Sequence, residues 1–238
     1  MNEITYPIRI NRYLYLAGLC SRREADRLIG RGEIYINDKK AVLGQKVNEG
    51  DNVQVGDSAA DTLLEREYYA LHKPKGIVSH NPKEHEQAAS ELVQTKVQLF
   101  PLGRLDKASR GLMILTNDGR ITHAVLSPEY EHEKEYIVTV DKRIPDTKLN
   151  ALERGVTIEG YKTKPAQVKR DSETSFRIIL TEGKKHQIRR MCATLGFTVK
   201  DILRTRIMHV SLGKLKAGES RKLSSKEVNG LLMVAGLK

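Results

Sequence analysis

The chain has 238 residues, 39% of them hydrophobic, with 41 Lys and Arg against 30 Asp and Glu, a formal net charge of +11. This length suits one large domain or two unequal ones, and no apolar run reaches the length of a membrane span. Two cysteines far apart, Cys20 and Cys192, exclude a disulfide framework and a zinc-binding spacing. The basic balance points to nucleic acid, since neither a lipidation signal nor a basic amphipathic helix rich in large aromatics offers a membrane anchor.

The segment from Ile4 to Ile10 is too short and too polar for a signal peptide, so a cytoplasmic protein is expected. Ile8, Ile10, Leu14 and Leu19 supply the apolar face of a first short helix. Ser21-Arg-Arg-Glu24 is a capping box that opens a second helix, closed by Gly30 and Gly32. Short strands follow around Ile34 and Ile36, Val42 and Val47, and Val53 to Val55, with Asn37-Asp38 as a turn. Residues 7–56 carry nine Lys and Arg against six Asp and Glu, a surplus of three. Arg9, Arg12, Arg22, Arg23, Arg27 and Arg31 lie on or beside the helical part, and the spacing of Arg23 and Arg27 places them on one face. Such a face is either plain solvated surface or a track for phosphates. The small polar run Gly56-Asp-Ser-Ala-Ala-Asp-Thr62 reads as a flexible linker, which divides the chain into residues 1–60 and 61–238.

The larger part opens with a strand from Tyr68 to Leu71, a Lys73-Pro74-Lys75-Gly76 turn and an extended Ile77-Val78. His80 and His85 lack a third metal ligand at useful spacing. From Leu99 to Leu112 the pattern is strand, loop, strand, and the loop presents Asp106 among Arg104, Lys107 and Arg110. Neighbouring cations favour an ionised carboxylate, which suits a nucleophile or base that receives a polyanion, although a solvated turn or surface ion pair fits the same spacing. Ile121, Val125 and Leu126 give a helical face that stops before Pro128. Tyr136 to Val140 alternates as a strand, where Tyr136 is either a packing aromatic or a base-stacking platform. A helix from Pro145 to Arg154, strands at Gln167-Val-Lys and Phe176 to Leu180, and a helix from about His186 to Leu195 come next. Val199 to Arg206 and Ile207 to Leu212 close the sheet, and a second capping box, Ser224-Ser-Lys-Glu227, opens a last helix with Val228, Leu231 and Leu232 on its buried face. Residues 184–222 hold eleven Lys and Arg against two Asp and Glu, a surplus of nine that reads as a nucleic-acid contact.

Gly103-Arg104-Leu105-Asp106 followed by Ser109-Arg110-Gly111-Leu112 resembles the catalytic motif of pseudouridine synthases, in the branch that modifies ribosomal RNA. The Lys-Pro-x-Gly turn, His132-Glu-Lys-Glu-Tyr136, Gln187-Ile188-Arg189 and Arg204-Thr-Arg-Ile-Met208 extend that resemblance over nearly the whole chain. Arg9-Ile-Asn-Arg-Tyr-Leu14, Cys20-Ser-Arg-Arg-Glu-Ala-Asp26 and Ile34-Tyr-Ile-Asn-Asp-Lys39 are similar to the RNA-binding domain named after ribosomal protein S4. The resemblance implies an α+β protein: a small N-terminal S4-like RNA-binding domain, then a catalytic domain built on a mixed, mainly antiparallel sheet with flanking helices. It implies Asp106 as nucleophile, Tyr136 stacked on an extruded uracil, Arg189 paired with Asp106, and Arg104 filling the vacated space. RNA contacts are expected from Arg9, Arg12, Arg22, Arg23, Arg27, Arg104, Lys107, Arg110, Lys184, Lys185, Arg190, Arg204 and Arg206. No cofactor and no metal are called for, and a monomer acting on structured RNA is expected. The target is expected in 23S ribosomal RNA; 16S ribosomal RNA and a transfer-RNA anticodon stem-loop are the alternatives within the family. A non-catalytic RNA-binding or ribosome-assembly protein would need the basic surface, but not Asp106, Tyr136 and Arg189 together.

Overall fold

The structure, a computed structural model, describes residues 4–57 and 66–237. The N-terminal module runs β1 (Ile8–Arg9), α1 (Ile10–Leu16), α2 (Arg22–Gly30), β2 (Ile34–Ile36), β3 (Lys39–Lys40), β4 (Lys46–Val47) and β5 (Val53–Val55). Its own core gathers Ile8, Ile10, Leu14, Ala25, Leu28, Ile29, Ile34, Ile36 and Val47. The Ser21 hydroxyl accepts from the Glu24 amide and caps α2 as expected. Asn37 and Asp38 both take positive φ, 50° and 62°, the turn that joins β2 to β3 with the twist of a hairpin.

Three local expectations differ. Ile8 belongs to no helix; extended backbone at Arg9 places it in β1 opposite Val47. Leu19 is 38% exposed, because the left-handed Gly18 turns the chain away from the face that α1 buries. Val42 sits in an exposed turn between β3 and β4. The predicted linker falls largely on residues 58–65, outside the described part.

The second part contains β6 (Tyr68–Lys73), β7 (Phe100–Leu102), β8 (Arg110–Thr116), α3 (Thr122–Leu126), β9 (Lys134–Val140), α4 (Asp146–Arg154), β10 (Thr157–Ile158), β11 (Tyr161–Lys162), β12 (Gln167–Arg170), β13 (Ser175–Leu180), α5 (Gln187–Thr194), β14 (Val199–Ile207), β15 (Val210–Ser211), β16 (Ser220–Lys222) and α6 (Ser225–Val234). Nine strands form one sheet in the order β12-β13-β9-β14-β8-β6-β16, with β15 on β14 and β7 on β8. Every pairing is antiparallel except β8 with β14, which run parallel. Ile77-Val78 contributes only a single bridge, Val78 to Ala88, rather than an extended run.

Both faces of β6 and β8 are buried, which explains their unbroken apolar runs. Tyr68, Ala70, Leu112 and Ile114 meet Ile121, Val125 and Leu231 on one side. Tyr69, Leu71, Met113 and Leu115 meet Ala89, Leu99 and Leu105 on the other. Across the parallel seam, Val138, Phe176, Ile178 and Ile202 pack under α4 and α5 through Leu149, Leu152, Ile188 and Met191. The seam therefore joins two separately packed halves, and the loop from β7 to β8 enters the sheet there. Among the described residues no helix is long and apolar enough to cross a membrane.

Candidate active site

The Asp106 loop begins at Gly103 (φ +84°) and is held along its whole length. Five successive carbonyls accept from five different donors. Arg204 reaches Arg104 O (3.2 Å), Ser79 Oγ reaches Leu105 O (2.7 Å), and Ser109 N reaches Asp106 O (2.9 Å). Gly76 N reaches Lys107 O (2.8 Å), and Arg189 reaches Ala108 O (3.2 Å). Ser79 Oγ also accepts from Leu105 N at 2.9 Å, while the Leu105 side chain is embedded in the core. Four of these donors lie outside the loop, so its shape is fixed by the sheet, α5 and the Lys-Pro-x-Gly turn rather than by its own sequence. Yet the Asp106 side chain stays 36% exposed. A fixed backbone that offers an accessible carboxylate is a preorganised reactive site. Ser79→Ala removes both bonds to Leu105 and leaves its buried amide without a partner. The expected cost is about 1–3 kcal/mol in stability, with kcat lowered more than KM, read from urea titration and steady-state kinetics.

Two buried cations stand behind the loop. Arg204, 2% exposed, donates Nε to Leu112 O at 2.7 Å as well as binding Arg104 O. It holds the loop from inside and has no solvent face to offer RNA, contrary to the sequence expectation. Fully buried Lys73 donates to Pro74 O and Ile77 O, both at 2.8 Å, and so closes the Lys-Pro-x-Gly turn. Burial first, then the charge of Arg204, pull Lys73 down to about 8, while the Asp106 carboxylate opposes the shift. Lys73 was no sequence candidate, although its turn was noted.

The side chain facing the carboxylate is His186, with Nε2 at 3.5 Å from Asp106 Oδ1, and not Arg189. His186 adopts a left-handed conformation (φ +52°) directly before α5. Buried Gln187 fixes that turn by accepting from Lys184 N and donating to Glu182, which also accepts from Tyr161 and Lys164 N. Arg189 lies one turn further into the helix and donates to Ala108 O, Ser109 Oγ and Val199 O. It secures the loop after Asp106 instead of pairing with the carboxylate. Tyr136 on β9 lies opposite Arg204 of β14 and packs against both the Leu105 core and the core under α4 and α5. Tyr136 and Arg189 are thus both tied to the Asp106 loop: Tyr136 is the strand partner of Arg204, which holds Arg104 O, and Arg189 holds Ala108 and Ser109. Both cysteines are buried, and burial pushes each thiol up to about 12, which leaves them inert as nucleophiles.

The basic residues divide differently from the sequence count. Lys107 pairs with Glu86, Arg110 with Asp201, Arg190 with Glu159, and Arg206 with Glu133 and Glu135. Arg221 and Lys222 pair with Glu227 and Glu67. The surplus within residues 184–222 is therefore offset by carboxylates from other segments. Lys184 stands over the Tyr161 ring at 4.5 Å, and Lys185 and Arg104 are exposed, with no side-chain partner among the described residues. On the N-terminal module the reverse holds. Both acids of α2 are engaged, Glu24 with Arg66 and Asp26 with Asn11, whereas Arg9, Arg12, Arg22, Arg23 and Arg27 are exposed and have no acidic partner among the described residues. Arg9, Arg12 and Arg22 line a depression of about 320 Å³ together with Lys46. Exposed cations at this density suit a phosphate-binding face. Arg23→Ala is expected to weaken RNA binding several-fold and to lower the slope of log Kd against log salt by about one, measured by filter binding across salt concentrations.

A mixed sheet thus presents a carboxylate loop at its parallel seam, beside a small arginine-faced module. The RNA pseudouridylate synthase profile matches residues 67–194 and the S4 domain profile residues 8–53. The chain belongs to this pseudouridine synthase family, and it is an RNA pseudouridine synthase. It is 43% identical over 227 residues to the dual-specificity RNA pseudouridine synthase RluF of Shigella flexneri, covering 93% of this chain and 77% of that protein. It is 33% identical over 239 residues to the ribosomal large subunit pseudouridine synthase B of Bacillus subtilis, covering 95% and 96%. A solved pseudouridylate synthase superposes with a TM-score of 0.70 at 27% identity, covering 94% of this chain and 99% of that one.

Proposed function

We propose that the enzyme isomerises one uridine of bacterial 23S ribosomal RNA, with Asp106 as nucleophile and residues 1–60 as the RNA-gripping domain of a cytoplasmic monomer. The observation that carries the chemistry is the Asp106 loop: five successive carbonyls held by separate donors around an accessible carboxylate. Uridine in folded RNA leaves its stack before an enzyme reaches it, and exposed Arg104 is the side chain beside the loop that fills the gap. Tyr136 offers its ring face to the extruded base. Asp106 attacks ribose C1′ or uracil C6, the C1′–N1 bond breaks, and the uracil turns to place C5 on C1′. A C1′–C5 bond forms, the bond to Asp106 breaks and returns the carboxylate, the C5 proton leaves and N1 takes up a proton, so atoms and electrons balance without an oxidant or a phosphoryl donor. Lys73 and Arg204 stand behind the loop and His186 stands beside the carboxylate that attacks.

The 23S target is supported by the name of the Bacillus subtilis relative, a large subunit synthase. Pseudouridine mapping of total RNA from cells lacking this protein tests it. One uridine of 23S ribosomal RNA should lose its modification and regain it on incubation with the purified enzyme. Loss confined to 16S ribosomal RNA or to transfer RNA would overturn the target.

A further inference from the structure

The N-terminal module is fastened to the catalytic domain by contacts that neither the RNA nor the reaction uses. Arg120 donates Nε and Nη2 to the fully buried Asp118 at 2.7 Å each, and Tyr68 donates to the same carboxylate at 2.5 Å. Held in this way, Arg120 extends Nη1 to Gly18 O of the module at 2.9 Å. Arg66, only 9% exposed, donates Nη2 to Leu19 O at 2.9 Å and pairs through Nη1 with Glu24 at 3.4 Å. Two guanidiniums of one domain thus seize consecutive carbonyls in the α1–α2 turn of the other. Planar donors bound at fixed angles specify orientation as well as attachment.

Gly119 completes the contact. A Cβ built on it would lie 2.3 Å from Cβ and 2.7 Å from Oγ of Ser21, the residue that caps α2. Its backbone is not left-handed, so glycine is needed there for the close approach of the module and not for a turn. The contact also stands at a telling position. β8 leads directly from the Asp106 loop at Arg110 to Thr116, two residues before Asp118, while Ser21 directly precedes Arg22 and Arg23 of the free cationic face. One rigid strand separates the carboxylate from the clamp, and the clamp grips the arginine-bearing helix at its first turn.

We infer that Arg66, Gly119 and Arg120 determine site selection by locking the module in one pose, so that the arginine face and Asp106 engage a single RNA at fixed spacing. The inference deepens the RNA assignment proposed above and rests on it. None of the three residues touches substrate. They convert two grips on RNA, which a loose tether would join at low effective concentration, into one ruler. A uridine is modified when it lies at the ruler's distance from the structured element held by α1 and α2.

Two variants test the lock by different means. Gly119→Val wedges the contact open while leaving both cores intact, and Arg66→Gln removes the grip on Leu19 and Glu24. Each is incubated with total RNA from cells lacking the enzyme, and separately with a minimal stem-loop carrying the mapped uridine. Both should keep wild-type kcat on the stem-loop and RNA affinity within about threefold. Both should lose roughly tenfold or more in kcat/KM at the native site in full-length RNA and add pseudouridine at further uridines. Native site patterns and kcat/KM within about twofold of wild type, in variants shown to be folded by thermal melting, would overturn the inference. If Gly119→Val fails to fold, Arg66→Gln decides. The wild-type pattern in the same RNA tests the target assignment, whereas the change between wild type and variant tests the lock alone.

Discussion

Asp106→Asn should lower the rate of pseudouridine formation by at least about 10⁴-fold while RNA affinity stays within a few-fold of wild type. Asparagine keeps the size of the side chain but cannot form the bond to C1′ or C6 that the reaction needs. The loop should survive the change. Its anchor at this residue is the backbone carbonyl, held by Ser109 N, and among the described residues the close partner of the carboxylate is the exposed His186 ring at 3.5 Å. Stability is therefore expected to shift by less than about 1 kcal/mol, as for a surface pair. Affinity should persist because the exposed cations, Arg9, Arg12, Arg22, Arg23 and Arg27, sit on the other domain. Tritium release from RNA made with 5-tritiated uridine measures the chemistry, since C5 loses its hydrogen. Filter binding measures the affinity. A variant that binds and still releases tritium at near wild-type rate would remove Asp106 from the nucleophile's role.

Gly111→Ala is expected to be strongly damaging to the fold. Gly111 has φ +118° and pairs with Arg204 across the parallel seam. A Cβ there would lie 2.4 Å from Arg204 O and 2.5 Å from Arg204 N, both backbone atoms. No rotamer change relieves contacts of that kind. The seam must open, and it carries Arg204, whose guanidinium holds the Arg104 carbonyl. Strained backbone plus a broken ladder should cost at least about 3 kcal/mol. For a chain of this size that lowers Tm by roughly 6–12 °C. Residual activity should fall further than the folded fraction alone accounts for, because the Asp106 loop loses an anchor. A melting temperature within about 2 °C of wild type would show that the seam is looser than these distances imply.

Much of the fold follows from local chemistry. Ser21 and Ser224 cap helices because a hydroxyl three residues ahead of Glu24 and Glu227 satisfies amides that the helix cannot. The strand, loop, strand pattern around Asp106 is legible because both flanking runs are apolar and glycines bound the loop. What sequence spacing does not reveal is which distant groups meet. The basic run from Lys184 to Lys222 reads as an RNA face until Glu67, Glu133, Glu135, Glu159 and Glu227 arrive from elsewhere to pair with it. Arg204 reads as a surface cation within that run, yet the seam buries it. Strands β10, β11 and β16 have only two or three residues each, too few to show alternation. Gly119 follows Asn117-Asp118 and looks like an ordinary turn glycine, whereas its reason lies in Ser21, almost a hundred positions away. In the site, Asp106, Tyr136 and Arg189 were all visible as candidates. The resemblance of Gln187-Ile188-Arg189 to the family motif implies Arg189 as the partner of Asp106. A left-handed turn at His186, which helical periodicity does not announce, brings the imidazole there instead.

Catalysis as proposed requires Asp106 and Tyr136 to meet one nucleotide, and a crystal structure of the Asp106→Asn enzyme with its target RNA tests that directly. The target uridine should be extruded, with the Tyr136 ring against its face and residue 106 about 3–3.5 Å from C1′ or C6. A uridine left in its stack, or a base seated away from residue 106 while Arg12 and Arg23 still hold the phosphates, would contradict it.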